Sequence, residues 1–177
     1  GLVIELDDNL MEIVDFQHVK PGKGGAFVRT RLKNVLTGRV LERTFRSGER
    51  FEEARIEDQI WQYLYSDGDL YHFMNNDTFE QLEVSASVIG DNARWMKENE
   101  DMTIVFHDGK PINSKVPPHV NLTVTQSDPG VQGDRSSGAT KPATLESGAV
   151  IQVPLFIEEG DVLRVDTRTG EYIERVN

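Results

Sequence analysis

The residues best suited to chemistry lie in one glycine-rich stretch, VKPGKGGAF, at positions 19–27. Three glycines, one proline and two lysines leave nothing in its middle that packs in a core. Proline restricts one backbone torsion, and glycine permits positive φ and a close approach to another backbone. The stretch therefore predicts an exposed loop with Lys23 at its tip, accompanied by Lys20, Pro21, Gly22, Gly24 and Gly25.

A lysine presented in this way has three chemical uses. It can act as a point charge against phosphate, as a nucleophile, or as the attachment point for a covalent modification. A nucleophilic lysine needs burial or a cationic neighbour. A bare glycine tip offers little burial, which argues against an enzyme. On this stretch alone, a mobile hairpin loop and a functional probe are equally consistent with the sequence.

Other catalytic and metal-binding patterns are missing. With no cysteine among the 177 residues, thiol catalysis, disulfides and cysteine-bound metal are excluded, and the composition suits a reducing compartment. GKGG is superficially similar to a phosphate-binding loop, but Ala26 stands where that loop needs serine or threonine. There is no G-x-S-x-G motif. No metal site is expected, because the i, i+4 spacing is absent from His18, His72, His107 and His119.

Charge is distributed unevenly along the chain, whose formal net charge is −11. Residues 17–50 contain nine lysines and arginines against two glutamates, so this segment carries +7 and the remainder −18. Alternation in 26–36 places Arg29, Arg31 and Lys33 together on the outer face of a strand. A solvated edge hairpin is consistent with this pattern, and so is a contact with a polyanion confined to one region.

The elements that hold the loop are predicted to be strands. Period-two alternation, β-branched residues and turn signals indicate strands or hairpins at 2–6, 10–19, 26–36, 39–46, 59–74, 80–84, 101–112, 120–126, 149–157, 161–167 and 171–176. A helix is predicted at 85–98, although Gly90 weakens its middle, and a loop at 127–140. Packing within the hairpin is favoured over base stacking for Tyr63, Tyr65, Tyr71 and Phe73.

Many short strands with regular turns and one short helix predict an all-β chain of three small barrels. The polar segment 47–58 and the Pro117-Pro118 pair mark the boundaries. The predicted domains are therefore 1–55, 56–117 and 118–177, and the last two suit five-stranded barrels of the OB type. No apolar run approaches the ~18 residues of a membrane span, and no signal segment is evident.

Three blocks of sequence resemble a known family, the bacterial elongation factor P. VKPGKGGAF followed by LKNVLTGRVLERTF is similar to its first domain, and YLYSDGDLYHFMNNDTFEQL with IGDNARWM to its second. The stretch from SDPGVQGD to GEYIERV is similar to its third, including the long and specific KPATLESGAVIQVPLFIEEG. The resemblance covers the whole chain, except that the beginning of the family's usual first strand is missing.

This resemblance implies a fold and a function. The fold is an N-terminal KOW/SH3-like barrel followed by two OB barrels, in an L-shaped arrangement like that of a tRNA. The function is to bind the ribosome between the P and E sites, beside the P-site tRNA, and to relieve stalling at consecutive prolines. The first domain would reach the acceptor end of that tRNA. A monomeric, cytoplasmic translation factor that is not an enzyme is therefore expected.

The resemblance also implies roles for single residues. Lys23 matches the family's modified tip residue, which different bacteria extend with β-lysine or a pentanol chain, or leave bare. No cofactor is expected apart from such a group, attached by a lysine-modifying enzyme. Gly133 and Asp134 fall in a third-domain loop that approaches the exit-site codon. Tyr172 and Arg175 match a functional C-terminal pair, although strand packing and a surface charge also account for them.

Two alternatives stay open on the sequence. One is a general RNA-binding module of several barrels without a role in peptide transfer. The other, more remote, is an enzyme that uses Lys23 as a Schiff-base nucleophile. Substitution of Lys23 discriminates among the three hypotheses.

Overall fold

The computed structural model describes residues 2–129 and 139–177. Strands dominate this part of the chain and form three antiparallel sheets, with one four-residue α-helix that leads into a 3₁₀ helix. The prediction of an all-β fold with one short helix is confirmed.

The first sheet carries the glycine-rich loop. It has four strands in sequential order: β1 Val3–Leu6, β2 Asn9–Val19, β3 Phe27–Asn34 and β4 Val40–Arg46. Alternate residues point to one side, where a small core forms from Ile4, Met11, Leu32 and Phe45, with Leu6, Ile13 and Phe51 packed against it. The loop lies between β2 and β3, the two central strands of this sheet.

The second sheet is an OB-like arrangement of five strands. Its strands are β5 Ile56–Ser66, β6 Leu70–Met74, β7 Gln81–Ser85, β8 Asp101–His107 and β9 Lys110–Lys115, in the order β7-β6-β5-β8-β9. Asp108 and Gly109 have φ of 50° and 78°, as a two-residue hairpin turn requires. Tyr63 and Phe73 are buried, which confirms packing for these two aromatics. Tyr65 is half exposed and stacks on His72, with ring centroids 4.3 Å apart.

The predicted helix at 85–98 is present but shorter than predicted, and only its first turn is α-helical. The α-helix, α1, spans only Ala86–Ile89, and a 3₁₀ helix continues over Gly90–Trp95. Gly90 ends the α-helix because its φ of 57° and ψ of −140° lie far from helical values. Met96 is already extended, at φ −84° and ψ 136°. The apolar spacing that suggested a longer helix instead delivers Trp95 to a core further along the chain.

The third sheet also has five strands. They are β10 His119–Ser127, β11 Thr140–Leu145, β12 Val150–Pro154, β13 Val162–Asp166 and β14 Glu171–Arg175, in the order β12-β11-β10-β13-β14. The sequence-based prediction assigns no strand to β11, and Pro142 is a residue that is unfavourable in the middle of a sheet. The pairing of β10 with β11 ends at Ala143. Pro142 therefore lies where β11 pairs only with β12, a position that tolerates proline.

The chain divides into two compact units. One comprises Gly1–Gln59 with Val105–Asn113, and the other Ile60–Ile104 with Ser114–Asn177. The second and third sheets therefore contribute most of their residues to one unit. The predicted domain boundaries after residues 55 and 117 stay a prediction.

Trp95 holds the second unit together. Its side chain is 4% exposed and belongs to the core of the third sheet, among residues that include Leu122, Ile151 and Val165. The Ser147 hydroxyl donates to the Arg94 carbonyl at 2.5 Å, and the Arg94 guanidinium lies 4.6 Å from the Trp95 ring. A core side chain supplied by another element couples the two sheets through buried apolar area. We call this region, residues 94–97 with Glu146, Ser147 and Gly170, the Trp95 joint.

Two further contacts tighten the Trp95 joint. Partial burial alone would raise the pKa of Glu146, but the Thr123 amide, which donates at 2.6 Å, and the Lys97 ammonium, at 3.5 Å, outweigh it and lower that pKa. Gly170 has a φ of 75°, and a Cβ placed on it would lie 3.3 Å from Arg94 Nη2 and 3.6 Å from the Trp95 ring. The positive φ is the main reason for glycine at this position, and the Arg94 guanidinium would have to shift slightly to admit a Cβ.

Candidate functional site

The candidate site is the loop between β2 and β3. Val19 and Phe27 pair at its base, and the Ser47 amide donates to the Ala26 carbonyl at 3.2 Å. Beyond this base every residue from 20 to 25 is exposed. Among the described residues, none forms an ion pair or hydrogen bond with 20–25. Backbone hydrogen bonds at the foot of the loop therefore determine where it begins and ends, whereas no ion pair or hydrogen bond from the described residues holds its tip.

The three loop glycines have two different explanations. Gly24 has a φ of 108°, which disfavours any side chain. Gly22 and Gly25 have no such φ, and a Cβ on either would meet nothing within 4 Å. Their lack of a side chain is therefore explained neither by local backbone strain nor by packing within the described residues. Clearance toward a body outside the chain is one physical reason for glycine at these two positions, and the backbone freedom of the loop is another.

Lys23 and Lys20 present their charges to solvent. Both side chains are exposed, and neither has an ion-pair partner in the part of the chain that the structure describes. An activated lysine nucleophile needs a desolvating pocket or a cation held against it, and Lys23 has neither. The geometry suits a point charge or a modification site, and it gives no support to Schiff-base chemistry.

The outer face of β3 carries the predicted basic row. Arg29, Arg31 and Lys33 are exposed, while Thr30 and Leu32 between them are buried. The alternation therefore places all three cations on one side of the sheet, as the sequence predicts. Within residues 2–129 and 139–177, none of the three forms an ion pair.

Carboxylates on the neighbouring strands reduce the positive potential at two of these three cations. Arg31 lies opposite Asp15 on β2 and Glu42 on β4. Lys33 lies opposite Glu12. Opposite charges facing each other across strands attract and lower the local potential. The two cations farther from the loop are thus partly compensated, although the sequence count gives +7 for this segment.

The cations that have no acidic cross-strand neighbour lie near the loop. Arg29 faces the neutral Gln17 and Thr44, and the next position pairs Phe27 with the exposed Arg46. Arg46 is a residue that the sequence reasoning did not single out. The signal was available, because the turn at Thr37-Gly38, which joins β3 to β4, sets the register that places Arg46 opposite Phe27.

Of the predicted C-terminal contact residues, the structure describes Tyr172 and Arg175. Gly133 and Asp134 lie outside the described residues. Tyr172 is half-buried and packs against the core of the third sheet. The Arg175 guanidinium lies 3.8 Å from Asp161 Oδ2 and 5.5 Å from the Phe156 ring. Strand packing and a surface ion pair account for these two side chains, and their functional roles stay predictions.

Two searches of the described residues bear on other functions. No group of three or more histidine, cysteine or carboxylate side chains is placed to hold a metal ion there. No helix among them has the length and hydropathy needed to cross a bilayer.

Comparison with known proteins decides the family. Models of elongation factor P match the chain in succession: the KOW-like domain over residues 1–51, the OB domain over 56–114 and the C-terminal domain over 120–175. Elongation factor P of Kocuria rhizophila is 52% identical over 177 residues, which is 100% of this chain and 95% of that relative. The chain belongs to the elongation factor P family. Elongation factor P of Thermoanaerobacter sp. is 53% identical over 176 residues, which is 99% of this chain and 95% of the relative.

Membership of the elongation factor P family makes this chain a translation elongation factor and implies interaction with the ribosome. It also confirms the predicted fold class, a KOW-like barrel followed by OB barrels. A solved structure, the translation initiation factor eIF-5A family protein from Naegleria fowleri, aligns with a TM-score of 0.52 at 15% identity. It covers 66% of this chain and 91% of its own. At that identity the likeness supports the fold alone.

Proposed function

We propose that the chain binds the ribosome between the P and E sites, beside the P-site tRNA, and stimulates peptide-bond formation at consecutive prolines. In this proposal the glycine-rich loop enters the cleft near the peptidyl transferase centre and Lys23 contacts the acceptor end of the tRNA. The chain acts as a monomer in the cytoplasm. It is not an enzyme, because the reaction belongs to the ribosome and the factor only improves its geometry.

One observation supports the proposal above the others. Lys23 is exposed and unpartnered on a loop whose Gly22 and Gly25 face open space. A narrow loop without side chains suits a crowded RNA cleft, and a cation at its tip suits a sugar-phosphate backbone. The uncompensated charges of Arg29 and Arg46 would extend that contact along the loop base.

The mechanism follows from positioning. Proline is a constrained secondary amine and a poor partner in peptide transfer. A contact that holds the peptidyl-tRNA in a reactive geometry supplies an entropic and orientational contribution to the rate. The Lys23 ammonium lies at the end of a four-carbon chain, which a modification would lengthen further. It can therefore make this contact while the loop backbone stays clear of the reacting ends of the two substrates.

Substitution of Lys23 tests the proposal. Lys23→Ala should slow synthesis of a Pro-Pro-Pro reporter roughly ten- to hundredfold, the effect of losing a charge-assisted hydrogen bond, and leave a proline-free reporter unchanged. Lys110→Ala removes the same charge from an exposed position at the start of β9 and serves as the matched control. Equal slowing of both reporters by Lys23→Ala would instead favour a general RNA-binding module.

The modification of Lys23 is a separate proposal with its own test. An exposed lysine on a narrow loop is accessible to a lysine-modifying enzyme, and an added chain would extend its reach. Intact-mass measurement of the protein from its native source should show added mass that maps to the peptide containing Lys23. A native mass equal to that of the bare chain would refute modification and leave the unmodified ammonium as the contacting group.

A further inference from the structure

Phe16 is an exposed aromatic ring on the strand that leads into the loop. It is 60% exposed and lies in β2 opposite Thr30, which in turn lies opposite Arg43 on β4. Thr30 is buried, so Phe16 stands on the same side of the sheet as the core. The core residues Met11 and Leu32 lie nearer the other end of these strands. Beyond them the hairpin projects an apolar ring that no described side chain covers.

The Phe16 ring is held in place. A bulge interrupts the register between Ile13 and Asp15, and the Asp15 carboxylate accepts the Phe16 amide hydrogen at 2.9 Å. The ring meets the His18 ring at 87°, with centroids 5.9 Å apart. A perpendicular contact of this kind occupies at most one face of the Phe16 ring. One flat apolar face of the ring therefore stays open to solvent.

Charges around Phe16 favour a polyanion. Arg43 shares its cross-strand row, but its charge is compensated by Asp7, whose Oδ2 lies 2.8 Å from Arg43 Nη1. The cation that favours a polyanion on this side is therefore Lys20. Lys20 follows four residues later, at the start of the loop, and has no acidic partner among the described residues. An aromatic face beside cations is the arrangement by which proteins bind single-stranded nucleic acid, since the ring stacks on a base while the cations contact the backbone.

The spacing along the hairpin fits one bound strand. Four residues of extended chain separate Phe16 from Lys20, about 13 Å at the usual rise of a β-strand. That length corresponds to roughly four stacked nucleotides at about 3.4 Å each. A strand whose end lies at the tip loop would thus pass Phe16 a few nucleotides further along.

We propose that Phe16 stacks on a nucleobase of the single-stranded RNA end that the tip loop engages. The proposal rests on the proposed function, in which that end belongs to the P-site tRNA. Phe16 would be a positioning residue: by fixing one base beside the hairpin, it would set the depth at which Lys23 meets the terminal nucleotides.

The test separates stacking from simple apolar packing. Phe16→Leu keeps an apolar side chain and removes the π face, whereas Phe16→Tyr keeps the ring. Phe79→Leu makes the same change at another exposed phenylalanine, 71% exposed in the second unit. The first readout is the concentration of the factor that gives half-maximal relief of a Pro-Pro-Pro stall. The second is the fluorescence of an adenine analogue placed near the acceptor end of the tRNA, because the emission of such an analogue falls when an aromatic ring stacks on it.

Phe16→Leu should raise the half-maximal concentration roughly ten- to hundredfold and abolish the fall in emission, while Phe16→Tyr and Phe79→Leu behave as the unaltered protein. Equal losses from Phe16→Leu and Phe16→Tyr would overturn stacking and indicate packing. If only Lys23→Ala impairs the reporter, stacking is refuted and the proposed function stands. If Lys23→Ala has no effect on the reporter, the proposed function fails. Stacking is then judged from the fluorescence alone: loss of the fall in emission with Phe16→Leu supports it, and an unchanged fall refutes it.

Discussion

Gly22 in the tip loop and Gly170 in the Trp95 joint occupy opposite physical situations. A Cβ on Gly170 would come close to the Arg94 guanidinium and touch Trp95, and the φ of 75° disfavours a side chain, whereas a Cβ on Gly22 would meet nothing within 4 Å. The joint glycine is explained by the chain's own backbone conformation and packing. The loop glycine has no explanation in packing, so its lack of a side chain points to backbone freedom or to a requirement outside the chain. The comparison separates residues that serve stability from residues that serve a partner.

The largest effect should come from the joint. Trp95→Ala is expected to lower the free energy of unfolding of the second unit by about 3–5 kcal/mol, as for other buried aromatic truncations. Denaturant titration with tryptophan-independent detection measures it. Ile60→Ala, at a side chain that is 67% exposed, should change it by less than about 0.5 kcal/mol. A similar loss at both positions would contradict a special role for Trp95.

The tip loop should show the reverse pattern. Gly22→Val is expected to leave the free energy of unfolding unchanged within about 0.5 kcal/mol, because the site is open. It should nevertheless slow the Pro-Pro-Pro reporter up to roughly a hundredfold, since a displaced loop misplaces Lys23. Gly25→Val provides an independent repeat at the other open position. Normal reporter rates in both variants would mean that clearance is not why these residues are glycines.

Gly170→Ala tests whether the glycine of the Trp95 joint serves stability alone. The left-handed backbone should cost about 1–2 kcal/mol with alanine, and Arg94 must shift to admit the new methyl group. Thermal and denaturant unfolding of the second unit should report that loss. Reporter activity of the folded variant should stay normal, and a fall in activity without a fall in stability would reverse the assignment of the two glycines.

The smallest effect concerns pH. The pKa of Glu146 is lowered in the folded state, so its contribution to stability is present above the unfolded pKa and is lost as pH falls through the folded pKa. Because this carboxylate is only partly buried, solvent screening limits the change to under about 1 kcal/mol. Denaturant midpoints near neutral and acid pH should differ less in Glu146→Gln than in the unaltered protein. An unchanged pH dependence would remove Glu146 from the joint's electrostatics.

Local patterns in the sequence predicted the first sheet well. Alternation in β2 and β3 and the glycines between them are short-range signals, and they gave the hairpin, its exposed tip and the face that bears Arg29. The α-helix was overestimated because apolar spacing was weighed above Gly90. The sequence offered no local sign that Trp95 leaves its own element for the core of the third sheet. Such a contact depends on tertiary packing, which periodicity does not encode.

The charge count for segment 17–50 did not predict how positive charge is distributed along β3, for a similar reason. The segment 17–50 excludes Glu12 and Asp15, which the hairpin register brings opposite Lys33 and Arg31. A window along the chain sums charges by sequence position, whereas the electrostatic potential depends on spatial neighbours. The register turned an evenly basic strand into one whose free charge lies at the loop.

That graded charge has a kinetic consequence. Cations gathered at the loop end of the first sheet, with carboxylates opposite Arg31 and Lys33 farther along it, make the electrostatic potential of this sheet uneven, and a polyanionic target attracts the loop end before any atoms touch. Encounters of this sheet would thus begin with the loop foremost. At moderate ionic strength, salt screens this attraction beyond about 10 Å. The attraction therefore orients the protein only in the last steps of its approach to the target.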